Sequence, residues 1–237
     1  MSPYKSISIG QVGQSHFKTF LHRNDMIISP WHDVPLYCSG SSEPRLVNFV
    51  CEVPAHTRAK LEMQTGVAMN PIMQDRTKEG ALRSYTYGEM PVNYGALPQT
   101  WEDPNARCRY TGFFGDDDPL DVMEIGTGAL PSGRVVPVKL VTALAMIDGG
   151  KTDWKLIGIR ASDHRFDLIN RAEDVEAHFP SLLDRLREWL RMYKTYEGGT
   201  ENTFALGERY QPLSVVNDVL ETCHSSWASR LKHPSRL

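Results

Sequence analysis

The hydrophobic period changes once along this chain, and that change constrains the fold more than any other feature. In the first two thirds apolar side chains alternate in steps of two. Val47, Phe49, Cys51 and Val53 do so, with Asn48 and Glu52 on the opposite face. Ala59, Leu61 and Met63 follow, against Lys60, Glu62 and Gln64, so that Lys60 and Glu62 project on one face. Residues 24–64 therefore read as strands. Strands return at 120–127, 134–147 and 154–160, and Asp153 shares a face with Lys155. Beyond that point the period becomes helical. Leu182, Leu183, Leu186, Trp189, Leu190 and Tyr193 form one stripe, and Leu213, Val216, Leu220, Cys223, Trp227 and Leu231 a second, with Pro212 suited to a first turn. Strands followed by helices predict an α+β fold, a curled sheet or barrel flanked by C-terminal helices. Residues 70–108, rich in Pro, Gly, Asn and Asp, read as long loops.

A chain of 237 residues with 41% hydrophobic content can bury a sizeable core. It shows no internal repeat or linker and is expected to form one domain over residues 1–237. A net charge of -3 and a pI near 6.2 lack the basic footprint of a general nucleic-acid binder. Cys38, Cys51, Cys108 and Cys223 have no C-x-x-C spacing, and read as reduced residues rather than a disulfide frame or zinc site. Met1 to Gln14 holds no apolar secretory core, and no run has the length of a membrane span.

The densest charge lies in Gly115-Asp116-Asp117-Asp118-Pro119-Leu120-Asp121. Pro119 breaks any regular helix there, so the carboxylates occupy a loop or strand end, anchored by Leu120, Val122 and Ile125. Two carboxylates at ~5 Å repel by roughly 3 kcal/mol at an effective dielectric of about 20. Hard cations relieve that repulsion, and an all-oxygen donor set suits Mg²⁺, Mn²⁺ or Ca²⁺ better than zinc. A solvated acidic turn fits this run alone equally well. An EF-hand does not, because its sixth position needs Gly and here holds Asp121.

Further polar groups accompany the acids: Glu52 with Lys60 and Glu62, Arg83 with Tyr94, Asp148 with Asp153 and Lys155, and Tyr193-Lys194 at the end of the first helical stripe. Singly, each fits a solvated surface. Together, acids for metals with Lys, Arg and Tyr for phosphate oxygens describe a metal-assisted phosphoryl-transfer site.

The motifs Trp31-His32-Asp33-Val34-Pro35-Leu36-Tyr37, Ala59-Lys60-Leu61-Glu62, Asn70-Pro71-Ile72-Met73-Gln74-Asp75 and Asn93-Tyr94-Gly95-Ala96-Leu97-Pro98-Gln99-Thr100-Trp101-Glu102-Asp103-Pro104 lead into the Asp cluster. Thr152-Asp153-Trp154-Lys155 and Tyr193-Lys194 complete the series. In order and spacing the chain resembles the soluble inorganic pyrophosphatases of the first family, in their eukaryotic branch. The resemblance implies a small closed β-barrel of the oligonucleotide-binding type, with helices outside and the site in its mouth. It implies hydrolysis of pyrophosphate to two phosphates by a metal-bridged hydroxide, with several Mg²⁺ ions per site. Asp116, Asp121 and Asp153 would hold the first metal, and Asp121 would bridge to a second with Glu52 and Asp118 near it. Asp148, Asp153 and Glu62 would serve further metals. Asp118 would accept the proton of the attacking water. Arg83, Tyr193 and Lys194 would grip one phosphate, and Lys60, Tyr94 and Lys155 would contact or orient the phosphates. Two other classes compete: a non-catalytic metal or polyphosphate binder on the same scaffold, and a barrel for single-stranded nucleic acid. The acidic mouth opposes the second of these.

The chain departs from the family pattern at Pro54-Ala55-His56-Thr57-Arg58, near a subunit contact in relatives, and at Lys151, where relatives often carry an acid. A homo-oligomer, a dimer first, is expected, with pyrophosphate as the other partner and neither nucleic acid nor membrane. The C-terminal Ser235-Arg236-Leu237 is a close variant of the Ser-Lys-Leu address. The location is therefore cytoplasmic, or a peroxisome- or glycosome-type microbody.

Overall fold

Alternation in the first two thirds of the chain builds two sheets, and only one of them closes. The computed structural model describes residues 2–40 and 46–232. The smaller sheet takes β1 (Tyr4–Ile9), β2 (Lys18–Arg23) and β3 (Met26–Ile28) from the N-terminal region. The larger begins with β4 (Val47–Val53). β5 (Leu61–Met63) and β6 (Ile72–Gln74) return to the small sheet, which runs β1-β2-β6-β5 with β3 beside β2. β7 (Asn93–Ala96), β8 (Asp121–Glu124), β9 (Val135–Asp148) and β10 (Lys151–Arg160) join the larger one, and the short β11 (Thr203–Phe204) pairs on β9 at its edge. There β10, β8, β7, β4 and β9 pair in that order, and β9 pairs back onto β10. The five strands thus form a closed ring, the barrel-like form expected. All of its pairings are antiparallel except β10 with β8.

Helices cover the ring. α1 (Ala172–His178) and α2 (Leu182–Met192) precede the short β11 (Thr203–Phe204), and α3 (Leu213–Lys232) follows. The pleat sends alternate residues into two apolar cores. Val50, Met123, Leu144, Met146 and Ile157 join Leu186, Trp189 and Leu190 of α2 in one core. Phe49, Cys51, Val122, Ala143, Ala145 and Leu156 join Val216, Val219, Leu220 and Cys223 of α3 in the other. Ala143 and Ala145 are fully buried, and their small side chains let α3 lie close on β9.

The structure revises several details. Asn48 and Glu52, on the face of β4 opposite its apolar residues, are buried as well, because both faces of β4 are covered. Among the described residues of 24–64, the strands expected there are β3, β4 and β5. The stretch read as loops contains β6 and β7, each too short to show alternation. β1 and β2 carried no clear signal: Ile7 and Ile9 of β1 stay exposed. At the ends of the second helical stripe, Leu213 and Leu231 are exposed, so only the middle turns of α3 lie on the ring. A Gly149-Gly150 turn joins β9 to β10, and both glycines take positive φ, at 55° and 81°. Two-residue hairpin turns of this kind require that backbone.

Candidate active site

Register brings the acids together. Asp121 opens β8, and its parallel partner on β10 is Lys155. Asp153 lies two residues before Lys155 and so on the same face. The Lys155 ammonium therefore meets both carboxylates. It donates to Asp121 and, at 2.6 Å, to Asp153, and it donates to the Tyr94 hydroxyl from β7 at 2.9 Å. Burial alone would lower the pKa of Lys155, but Asp121 and Asp153 outweigh it and hold the ammonium charged.

Glu52 reaches the same cleft through a defect in pairing. The register between β4 and β7 slips by one between Cys51 and Val53, and Glu52 occupies the bulge. Its carboxylate accepts the Met63 backbone N–H at 2.7 Å. Gly95 makes this approach of strands possible, since a Cβ there would lie 2.0 Å from the Val50 carbonyl oxygen. Burial, then repulsion from Asp121, pushes the Glu52 carboxyl well above its usual range.

On the small sheet three backbones run side by side. Asp75 N–H donates to the Lys60 carbonyl at 2.9 Å, and Arg83 N–H to the Asp75 carbonyl at 2.8 Å. Their side chains meet accordingly. Asp75 takes the Lys60 ammonium and the Arg83 guanidinium, each at 2.7 Å, and Lys60 also donates to Glu62 at 2.6 Å. From the other side, the turn after α2 supplies Tyr193 and Lys194. Lys194 pairs with Asp148 at the end of β9.

The acidic loop closes the arrangement. Glu102 N–H donates to the Asp118 carbonyl at 2.9 Å, and Asp117 N–H to the Glu102 carbonyl at 3.0 Å. Gly115 packs so tightly here that a Cβ would sit 2.4 Å from the Glu102 carbonyl carbon. Asp116 accepts the Asp118 backbone N–H at 3.1 Å. Asp118 projects into the cleft. Burial among the cleft walls, then repulsion from Asp121, Glu62 and Asp153, raises its pKa to about 7, and its exposure to cleft water tempers that rise. Asp153, almost wholly buried, is likewise raised to about 7, by burial and by Asp121 against the pull of Lys155. Asp116 is raised well above its usual range by burial and then by Asp153.

One cleft is lined by every residue singled out from the sequence: Glu52, Lys60, Glu62, Arg83, Tyr94, Asp116, Asp118, Asp121, Asp148, Asp153, Lys155, Tyr193 and Lys194. Inside it the side chains pair as their strands place them, and not always with their neighbours in the sequence groups. Arg83 bonds Asp75 while Tyr94 bonds Lys155, because Arg83 lies beside the small sheet and Tyr94 on the ring. Asp148 pairs with Lys194, not Lys155, since it stands at the far end of β9. Three contributors were missed. Asp75 binds two cations and Tyr85 walls the cleft. Glu102 stands behind the acidic loop, with carboxylate oxygens of Glu102, Asp116 and Asp153 all within 4.8 Å of one another. Asp75 and Glu102 each lie inside a motif named above, and a charged residue beside Trp101 or Gln74 was the available signal.

These carboxylates form an all-oxygen donor set, with burial and mutual repulsion raising Glu102, Asp116 and Asp153 toward the neutral form. Such a set fits hard divalent cations, which supply the missing positive charge.

Known proteins resemble this chain in sequence and in shape. The family model for inorganic pyrophosphatase matches residues 49–228. Inorganic pyrophosphatase of Eremothecium gossypii is 42% identical over 229 residues, covering 94% of this chain and 78% of the relative. Soluble inorganic pyrophosphatase 6, chloroplastic, of Arabidopsis thaliana is 42% identical over 214 residues, or 90% of this chain and 69% of the relative. The crystal structure of type I inorganic pyrophosphatase from Toxoplasma gondii superposes with a TM-score of 0.91 at 41% identity, covering 95% of this chain and 99% of that one. A truncated vacuolar soluble pyrophosphatase of Trypanosoma cruzi, solved in complex with PPi, gives a TM-score of 0.91 at 36% identity, over 97% of this chain and 91% of that one. With the family model spanning most of the sequence and the fold shared throughout, this chain belongs to the inorganic pyrophosphatase family.

Proposed function

We propose that this chain hydrolyses inorganic pyrophosphate to two orthophosphates with Mg²⁺ as its cofactor, and that the cleft residues divide the work as follows. Asp116, Asp121 and Asp153 hold the first cation. Glu52, Asp118, Glu62 and Asp148 serve further ones. Cations held there would supply positive charge to neutralise the substrate and to make water more acidic. Asp118 accepts the proton of the attacking water, a role that needs a carboxylate with a pKa near the working pH.

The cations of the chain itself receive the substrate charge. Arg83, Tyr193 and Lys194 hold one phosphate; Arg83 presents a planar fork to two oxygens. Lys60, Tyr94 and Lys155 orient the other and stabilise charge that develops as the bridging bond breaks. These groups are held by acids: Lys60 by Glu62 and Asp75, Lys155 by Asp121 and Asp153, Lys194 by Asp148. Positive charge brought to those acids would free Lys60, Lys155 and Lys194 for the substrate.

The observation that carries this reading is the facing of Asp116, Asp118, Asp121 and Asp153 by Lys60, Arg83, Lys155 and Lys194 around one cleft. The test is phosphate release from pyrophosphate in Mg²⁺ and in excess chelator. Release that needs Mg²⁺ supports the reading, and equal release in chelator contradicts it.

Two further parts of the proposal concern assembly and place. The chain forms a homodimer, which sedimentation measures. No helix among the described residues is long and apolar enough to cross a membrane. Ser235 to Leu237 lie outside the described residues, so the choice between cytoplasm and microbody rests on sequence. A fluorescent protein fused ahead of Met1 separates them: puncta with a microbody marker, lost on deleting Ser235 to Leu237, or diffuse signal throughout.

A further inference from the structure

The middle residue of the acidic loop turns away from the cleft. Asp116 and Asp118 line the cavity, but Asp117 does not. Asp117 adopts a φ of 81°, a left-handed backbone that only Gly, Asn and Asp enter readily. Its carboxylate instead meets two side chains on the far side of the loop. The Trp101 indole N–H donates to Asp117 Oδ1 at 2.8 Å, and Arg230 Nη1 lies 3.2 Å from the same oxygen.

Arg230 sits in the last turn of α3, far along the chain from the loop. Its guanidinium lies 4.5 Å from the Trp101 ring centroid and 5.1 Å from that of Trp31, so two indoles hold it by cation–π contact. The side chain is only 13% exposed, although its partner Asp117 is 57% exposed. Neither indole is free to drift. Trp31 Nε1 donates to the Thr100 carbonyl at 2.8 Å, and the backbone N–H of Trp101 donates to the Cys223 carbonyl of α3 at 3.0 Å, which fixes the base of that side chain. The residue after Trp101 is Glu102, whose backbone brackets Asp117 and Asp118. A rigid helix is thereby tied, through one arginine and one tryptophan, to the outer side of the loop that aims Asp116 and Asp118.

We propose that Arg230 and Trp101 are positioning residues that clamp Asp117 from behind and so fix the direction of Asp116 and Asp118 into the cleft. The inference rests on the function proposed above, and wild-type turnover in the same assay separates the two: no wild-type turnover removes that function, whereas wild-type turnover with unaffected variants removes only the clamp. Arg230 does not line the cleft. Its effect comes through geometry, and misplacement of reacting groups by ~1 Å costs up to about a hundredfold in rate.

The test uses the full chain. Arg230→Met keeps apolar bulk between the indoles and deletes the charge. It should lower kcat roughly tenfold with KM for pyrophosphate within about twofold, and weaken Mg²⁺ binding to the substrate-free protein, read by calorimetry, by roughly tenfold. The metal-free melting temperature should move by less than about 4 °C. Arg230→Lys, which keeps charge between the rings, should recover most of both losses. Asp117→Gly adopts the same backbone without either anchor and should match Arg230→Met, so it carries the test if the latter does not fold. The double variant should be no worse than either single one. Wild-type kcat and Mg²⁺ binding in Arg230→Met or Asp117→Gly, fully additive losses, or a failure of lysine to rescue, would each overturn the clamp.

Discussion

Lys155 and Asp121 are register partners on the parallel strands β10 and β8, and the ammonium of the one sits on the carboxylate of the other. The same ammonium holds Asp153 at 2.6 Å. A single buried lysine therefore stands in for the positive charge that cations bring to these acids. Its removal leaves two carboxylates facing each other with no counter-charge. Lys155→Met should destabilise the metal-free protein by about 3 kcal/mol, and Mg²⁺ should restore more stability to the variant than to wild type. Thermal melts with and without Mg²⁺ read this. An unchanged metal-free melting temperature would mean that Lys155 does not balance Asp121 and Asp153.

The acids also set a pH dependence. Asp118 and Asp153 are each raised from 3.8 to about 7, chiefly by burial. Between those values the folded protein binds more protons than the unfolded chain, so stability must fall as pH rises. The contribution is fully present below the unfolded pKa and lost on passing through about 7. Metal-free protein should accordingly melt at a lower temperature at about pH 8 than at about pH 5, and saturating Mg²⁺ should flatten the difference. A metal-free melting temperature that rises over this range would contradict the assignment.

Arg83 offers a sharper test of phosphate recognition. Its Nη1 binds Asp75 at 2.7 Å, an acid that also holds Lys60. Arg83→Ala should lower kcat/KM for pyrophosphate by at least about a hundredfold, and Arg83→Lys by less, because lysine keeps the charge but not the fork. Equal activity in both variants and wild type would remove Arg83 from the site.

Gly95 tests the bulge that delivers Glu52. A Cβ there would overlap the Val50 carbonyl oxygen at 2.0 Å and crowd the Glu52 nitrogen at 2.8 Å. Gly95→Ala should cost on the order of 3 kcal/mol and reduce turnover together with stability. A stable and fully active variant would show that β4 and β7 need not approach so closely for Glu52 to function.

Much of this site was legible in the sequence because its residues sit on regular strands. Asp153 and Lys155, or Lys60 and Glu62, face one way by the period of two alone. The motif resemblance then joined groups that spacing could not. What the sequence hid depended on pairing between distant strands. Asp75 gains its role only when its backbone lies between those of Lys60 and Arg83. Glu102 enters the acid cluster only because the 102–103 segment ladders onto the acidic loop. Arg230 carries no signal in the sequence beyond its charge, and only the packing of α3 against Trp101 gives it a partner. The short strands β6 and β7 left too few residues for a period to show, and the exposed Ile7 and Ile9 of β1 mimic a loop.

The central claim is that Asp118 accepts a proton in a metal-dependent attack on pyrophosphate. The direct measurement is the initial rate of phosphate release by Asp118→Asn beside wild type, at neutral pH in saturating Mg²⁺. The asparagine keeps size and backbone contacts, so the fold and the Mg²⁺-induced rise in melting temperature should persist while turnover falls by roughly 10² to 10⁴-fold. A variant that releases phosphate at the wild-type rate would contradict the account.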